Sequence, residues 1–246
     1  FINFSIILTY LVFFNKEKKI LILLMGIFVL FLRPQGFLIL LSIFFTIFIF
    51  FKFKKNYNFT LKLLTTFFFI LLFLIFTNIG INHYNLIESL SRGIIWGYSF
   101  DTNSICLKEC ISGFTNPQFY EKNFFGLLLY VKENFFILTK VSVYKIILFL
   151  TGWRPYYSFL HNLFVLCFHV PMYFLFCIYF LRLKKLDQLE IFTLIYVILS
   201  IIFIGATFAD WSGRYVMYIL PFIMLYASKG LLILLVHCKN KFIIKN

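Results

Sequence analysis

Long apolar runs separated by short basic segments dominate the chain. A membrane-spanning helix needs about 20 apolar residues, and continuous runs favour helices over the alternating pattern of barrel strands. The pattern therefore predicts an all-α, polytopic transmembrane helical bundle. The runs occupy residues 1–14, 20–32, 37–51, 63–79, 158–181, 191–209 and 215–236.

Three regions follow from this pattern. Residues 1–79 are expected to form transmembrane helices, with a short hairpin at 33–36, where Pro34 and Gly36 favour a turn. Residues 80–157 are expected to form a long loop, and residues 158–246 three further transmembrane helices and a basic tail. Because the chain begins with Phe1 inside an apolar run, we interpret it as a fragment of a longer protein whose first helix is truncated.

The positions of the basic residues predict the orientation. Lysine and arginine concentrate in cytoplasmic loops of membrane proteins. Thirteen of the 23 lysines and arginines fall in four short segments, which we therefore assign to the cytoplasm. This orientation makes the C-terminus cytoplasmic and places residues 80–157 and 210–214 on the extracytoplasmic side. The four basic segments are 15–19, 52–62, 182–190 and 237–246.

Residues 134–150 allow two interpretations. They are apolar enough to cross the membrane, but a span here would place the basic segment 182–185 outside. The segment also carries Lys140 and Lys145 among aromatic and aliphatic residues, which is typical of an amphipathic helix lying in the membrane interface. The charge pattern favours the interfacial helix.

Composition restricts the function. With 62% hydrophobic and 13% charged residues, the chain has too little polar sequence for a water-soluble surface, so we expect membrane lipids rather than nucleic acid to account for its net charge of +14. The four histidines show no metal-ligand spacing, and we predict no metal site in this chain.

Five polar residues near the predicted outer surface are candidates for binding a substrate. They could be ordinary interfacial side chains, since arginines reach lipid headgroups and tryptophan and tyrosine form interfacial belts. A guanidinium group also matches the oxygens of a phosphate in charge and shape. We predict a substrate-binding role for Arg33, Arg154, His161, Asp210 and Arg214.

The same elements resemble the C-terminal part of a membrane glycosyltransferase of the GT-C superfamily, near the protein mannosyltransferases and the aminoarabinose transferases. The resemblance is carried by Arg33-Pro-Gln-Gly36, Gly152-Trp-Arg-Pro-Tyr-Tyr157, His161-Asn162 and Asp210-Trp-Ser-Gly-Arg-Tyr215, ahead of a last apolar run that contains Pro221.

The resemblance implies transfer of a sugar from a polyprenyl-phosphate donor to a glycan, lipid or protein acceptor. The reaction would take place on the extracytoplasmic face of a bacterial inner membrane. The catalytic carboxylate of such families lies in an early outward loop, so we name no catalytic residue and expect this fragment to be inactive alone. We expect no cofactor in this chain, although the family allows a divalent metal in the full-length protein.

Two other classes remain open. A polysaccharide polymerase of the O-antigen type would also have many spans, a long outward loop and arginines that face glycan. A lipid or glycan transporter without enzymatic activity predicts an internal repeat and broken helices at the midplane.

Overall fold

The chain is an integral membrane protein built from α-helices. The computed structural model describes residues 35–53, 86–91, 94–96, 105–106, 114–154, 157–206 and 216–243. Among them, three helices are long and apolar enough to cross a membrane. This confirms the predicted helical membrane fold.

Seven α-helices and one short antiparallel ladder are present in the described residues. The helices are α1 (Gln35–Phe53), α2 (Leu86–Ser91), α3 (Phe124–Glu133), α4 (Phe135–Thr151), α5 (Phe159–Arg182), α6 (Gln188–Ala206) and α7 (Val216–Ile243). The ladder pairs β1 (Ile94–Trp96) with β2 (Ile105–Cys106), and a 3-10 helix spans Pro117–Phe119.

The three spans match the apolar runs. The predicted span 158–181 is α5, the predicted span 191–209 overlaps α6, and the last run begins α7. Helix α1 begins at Gln35, two residues before the apolar run that predicts it. The remainder of the predicted hairpin at 33–36 lies outside the described residues.

Helices α5 and α7 pack against each other at very short range. At Gly230 a Cβ atom would lie only 2.1 Å from the carbonyl oxygen of Leu175. Small residues allow membrane helices to approach in this way. Both helices continue through an internal proline, Pro171 in α5 and Pro221 in α7.

Most of α5 faces away from the protein. Only 22% of its most apolar 18-residue window is buried. Its exposed side chains are large and apolar, as expected for a helix surrounded by lipid tails. They include Phe159, Leu160, Phe164, Phe174 and Leu181.

The chain forms two compact units. The first contains α5, most of α6 and α7, and the second contains α2, the two strands, α3 and nearly all of α4. The core of the second unit surrounds Tyr130, which is fully buried and makes an edge-to-face contact with Tyr120. Ile87, Leu90 and Leu138 complete this core.

A buried asparagine occupies the junction between α3 and α4, which meet at 91°. The side chain of Asn134 accepts a hydrogen bond from the Thr115 backbone N–H at 3.0 Å. Its Nδ2 atom donates to Oγ1 of Thr115 at 2.7 Å and to the Tyr130 carbonyl at 2.9 Å. Asn134 therefore ties the preceding loop to the bend.

Helix α4 forms over the predicted interfacial segment, but its lysines do not share one exposed face. Lys140 is exposed, whereas Lys145 is buried on the side of Val141 and Phe149. Phe136, by contrast, is 86% exposed. The exposed surface of α4 is therefore largely apolar.

Candidate functional site at the start of helix α5

Two of the five predicted site residues, Arg154 and His161, lie where α5 begins. The other three, Arg33, Asp210 and Arg214, lie outside the described residues.

The local sequence explains why α5 begins at Phe159. Ser158 is the N-cap residue, and its hydroxyl accepts a hydrogen bond from the backbone N–H of His161 at 3.2 Å. A serine at this position satisfies one of the backbone N–H groups that have no partner within the helix. Four residues before this cap lies Arg154.

Asn162 holds the backbone of Arg154 from both sides. Its Oδ1 atom accepts a hydrogen bond from the Arg154 N–H, and its Nδ2 atom donates to the Arg154 carbonyl, each at 2.8 Å. Only 2% of Asn162 is exposed. A carboxamide carries both an acceptor and a donor, so one side chain fixes the whole peptide segment around Arg154.

The Arg154 side chain is also held and is 3% exposed. Its Nη1 atom donates to the carbonyl oxygen of Trp153 at 2.9 Å. A charged group with little water around it interacts with an opposite charge more strongly than it would in bulk water. The Arg154 guanidinium is therefore a cation held in place just before α5 begins, and it is not an exposed interfacial side chain.

Gly152 makes this arrangement possible. Its φ angle of +68° lies in the left-handed region that glycine adopts without strain. A Cβ atom here would also lie 2.8 Å from Cγ1 of Val165 and 2.9 Å from Cε1 of His169. A side chain at residue 152 would therefore disfavour the backbone conformation that leads from α4 to Arg154.

His161 occupies the exposed side of the same helical turn. Its imidazole ring packs against Tyr157, with ring centroids 4.1 Å apart. His161 is therefore available to solvent or to a ligand, whereas Arg154 faces the protein.

The other end of α5 holds a second set of polar residues. Glu190 is buried, accepts a hydrogen bond from the Tyr179 hydroxyl and accepts another from the Asp187 N–H at 2.8 Å. The Lys229 ammonium lies 4.6 Å from the ring centroid of Tyr226 and 5.4 Å from that of Tyr179. The Lys229 ammonium therefore lies near the end of α5 that precedes the basic segment 182–190.

Gly152 and Asn162 belong to the motifs that carry the resemblance, but neither is among the five predicted site residues. The sequence signal for both is a glycine two residues before an arginine, together with an asparagine near the start of the next apolar run. The described residues contain no group of three or more histidine, cysteine, aspartate or glutamate side chains able to hold a metal ion.

Comparison of the chain with models of known families, with curated proteins and with solved structures found no match.

Proposed function

We propose that this chain belongs to an integral membrane glycosyltransferase of a bacterial inner membrane. The enzyme takes a sugar from a polyprenyl-phosphate donor and passes it to an acceptor on the extracytoplasmic face. The observation that carries the proposal is the held guanidinium of Arg154 at the start of a span. A lipid-linked phosphate presents its charge at this depth, where an apolar tail meets a polar head.

The surroundings of Arg154 support a lipid-linked ligand. The adjoining surface of α5 is apolar and exposed, so an isoprenoid tail can lie along it. The fixed backbone around Arg154 lowers the entropic cost of binding, because the cation does not have to be ordered when the donor arrives. In this proposal His161 contacts the phosphate or the sugar from the exposed side, and the buried Arg154 attracts the phosphate charge from just beneath the surface. Asn162 holds the Arg154 backbone in place.

The test uses membranes from cells that express the complete gene and a labelled polyprenyl-phosphate sugar. Hydrogen bonds to charged groups contribute roughly 1.5–3 kcal/mol, so we expect Arg154→Gln to lower transfer by about tenfold or more. Arg154→Lys should retain part of the activity, because it keeps the charge without the planar fork. Asn162→Ala should also weaken transfer, and it should do so by raising the KM for the donor.

Arg182→Gln is the matched control, since Arg182 is an exposed arginine at the opposite end of the same helix. It should leave transfer unchanged when the protein is present at equal amounts. Wild-type transfer by Arg154→Gln, or an equal loss in Arg182→Gln, would remove Arg154 from the donor site.

A further inference from the structure

A pocket with mixed apolar and polar lining lies in the second unit, between α2 and the 3-10 helix. Its volume is about 320 Å³, which is at the lower end of the range for small-molecule sites. Ile87, Pro117 and Tyr120 form its apolar lining. Neither Arg154 nor His161, the two predicted site residues that the structure describes, lines it.

The polar lining residues have complementary hydrogen-bonding capacity. Glu88 supplies a carboxylate, Gln118 a carboxamide and Lys122 an ammonium group, and all three side chains are exposed. Together they offer both donors and acceptors. Such a mixture suits a ligand whose own groups both donate and accept, as hydroxyl groups do.

The fourth polar lining residue, Asn116, has a fixed orientation. Its Oδ1 atom accepts a hydrogen bond from the Gln118 N–H at 3.0 Å and caps the 3-10 helix. This bond determines the plane of the carboxamide at the edge of the pocket. The side of the pocket that Asn116 forms is therefore a hydrogen-bonded turn.

The aromatic ring of the pocket is held rigidly. The Tyr120 hydroxyl hydrogen-bonds to the Glu133 carboxylate and lies 2.9 Å from Oγ1 of Thr115. The hydrogen bond to Glu133 raises the pKa of Tyr120, because the carboxylate favours the protonated phenol. Thr115 is in turn held by Asn134 at the bend between α3 and α4. A binding surface built in this way loses little entropy on binding.

We propose that this pocket binds one hexose-sized sugar unit. The C–H face of a pyranose ring packs on the apolar lining formed by Tyr120 and Pro117, while its hydroxyl groups bond to Glu88, Gln118 and Lys122. The proposal extends the proposed function by giving a glycan acceptor a place to bind, outside the Arg154 site.

The test measures equilibrium binding of free sugars to the intact protein in lipid nanodiscs by saturation-transfer NMR. The probes are methyl glucoside and N-acetylglucosamine, with mannitol as an acyclic polyol that lacks a ring face. We expect millimolar binding of at least one ring sugar and much weaker binding of mannitol. Gln118→Ala and Glu88→Gln should each weaken sugar binding by about fivefold, as the loss of one hydrogen bond predicts.

Lys132→Gln is the control, because Lys132 is exposed on α3 and does not line the pocket. It should bind sugar as the unaltered protein does. Absence of ring-sugar binding, equal binding of mannitol, or undiminished binding in both pocket variants would overturn the proposal.

The outcomes separate this proposal from the proposed function, because no donor is present in the binding measurement. Sugar binding in a protein that transfers no sugar from any polyprenyl-phosphate donor would contradict the glycosyltransferase alone. Transfer that depends on Arg154, in a protein that binds no sugar at this pocket, would contradict the pocket alone.

Discussion

The two ends of α5 both hold buried charged side chains, but they do so in different ways. At the first end, Asn162 fixes the backbone of Arg154, and the arginine bonds to the carbonyl of its own neighbour. At the other end, Glu190 and Lys229 join residues from α5, α6 and α7. The first arrangement orients one side chain through local contacts, and the second connects three helices.

The Arg154 end therefore has the features of the proposed donor site. The Glu190 and Lys229 end has those of a structural link between helices. Removing a group that connects helices should change stability and leave the donor KM unaltered. Removing a group that orients Arg154 should change the donor KM. Substitutions at four positions test whether the two ends differ in this way.

The largest effect is expected at Gly230. In Gly230→Ala, the new methyl group would meet the backbone oxygen of Leu175, so α5 and α7 would have to separate. Overpacking of this kind costs roughly 1–3 kcal/mol, and a rigid backbone neighbour favours the upper end. Thermal unfolding in detergent measures the loss.

Gly152→Ala provides the comparison. Its methyl group would meet only the side chains of Val165 and His169, which can shift, although the positive φ angle adds about 1–2 kcal/mol. We expect a smaller loss of stability than in Gly230→Ala, together with a weaker interaction with the donor. If Gly152→Ala lost more stability than Gly230→Ala, the structural link would not be confined to the end of α5 that lies away from Arg154.

A smaller effect is expected at Glu190. Glu190→Ala removes the acceptor for the Tyr179 hydroxyl and for the Asp187 N–H, which should cost about 2 kcal/mol. Glu190→Gln keeps one acceptor oxygen and should lose about half as much. Lys184→Gln, an exposed neighbour, is the control for thermal unfolding. Equal stability of Glu190→Ala and Lys184→Gln would show that Glu190 does not join the helices.

The smallest effect is expected at Lys229. Lys229→Met removes the cation above the rings of Tyr226 and Tyr179 and should cost about 0.5–1 kcal/mol. Lys229→Arg, which keeps a cation that stacks on aromatic rings, should remain close to the unaltered protein. A change in donor KM in either variant would contradict the division between the two ends.

The apolar pattern was sufficient to predict the spans. A run of about 20 apolar residues has few alternatives to a membrane helix, and α5 therefore begins and ends within one residue of its prediction. The first turn of α6 was not predicted, because Gln188 and Glu190 are polar. Glu190 is nevertheless helical, since it forms reciprocal hydrogen bonds with Asp187.

The surroundings of the candidate site were less predictable. The burial of Arg154 depends on contact with a residue eight positions later and on a left-handed glycine, and periodicity contains neither. The pocket beside α2 is lined both by Ile87 and by the turn at Pro117, which are thirty residues apart. Patterns along the chain report local structure, whereas these sites arise from non-local packing.

The contact between Gly230 and Leu175 also bears on how the proposed lipid-linked donor would reach Arg154. Where two helix backbones touch, no acyl or isoprenoid chain can pass between them. In the proposed function the donor instead reaches Arg154 along the exposed, phenylalanine-rich surface of α5, past Phe168 and Phe164. Bulk added on that side would obstruct delivery of the donor without touching the cation that receives it.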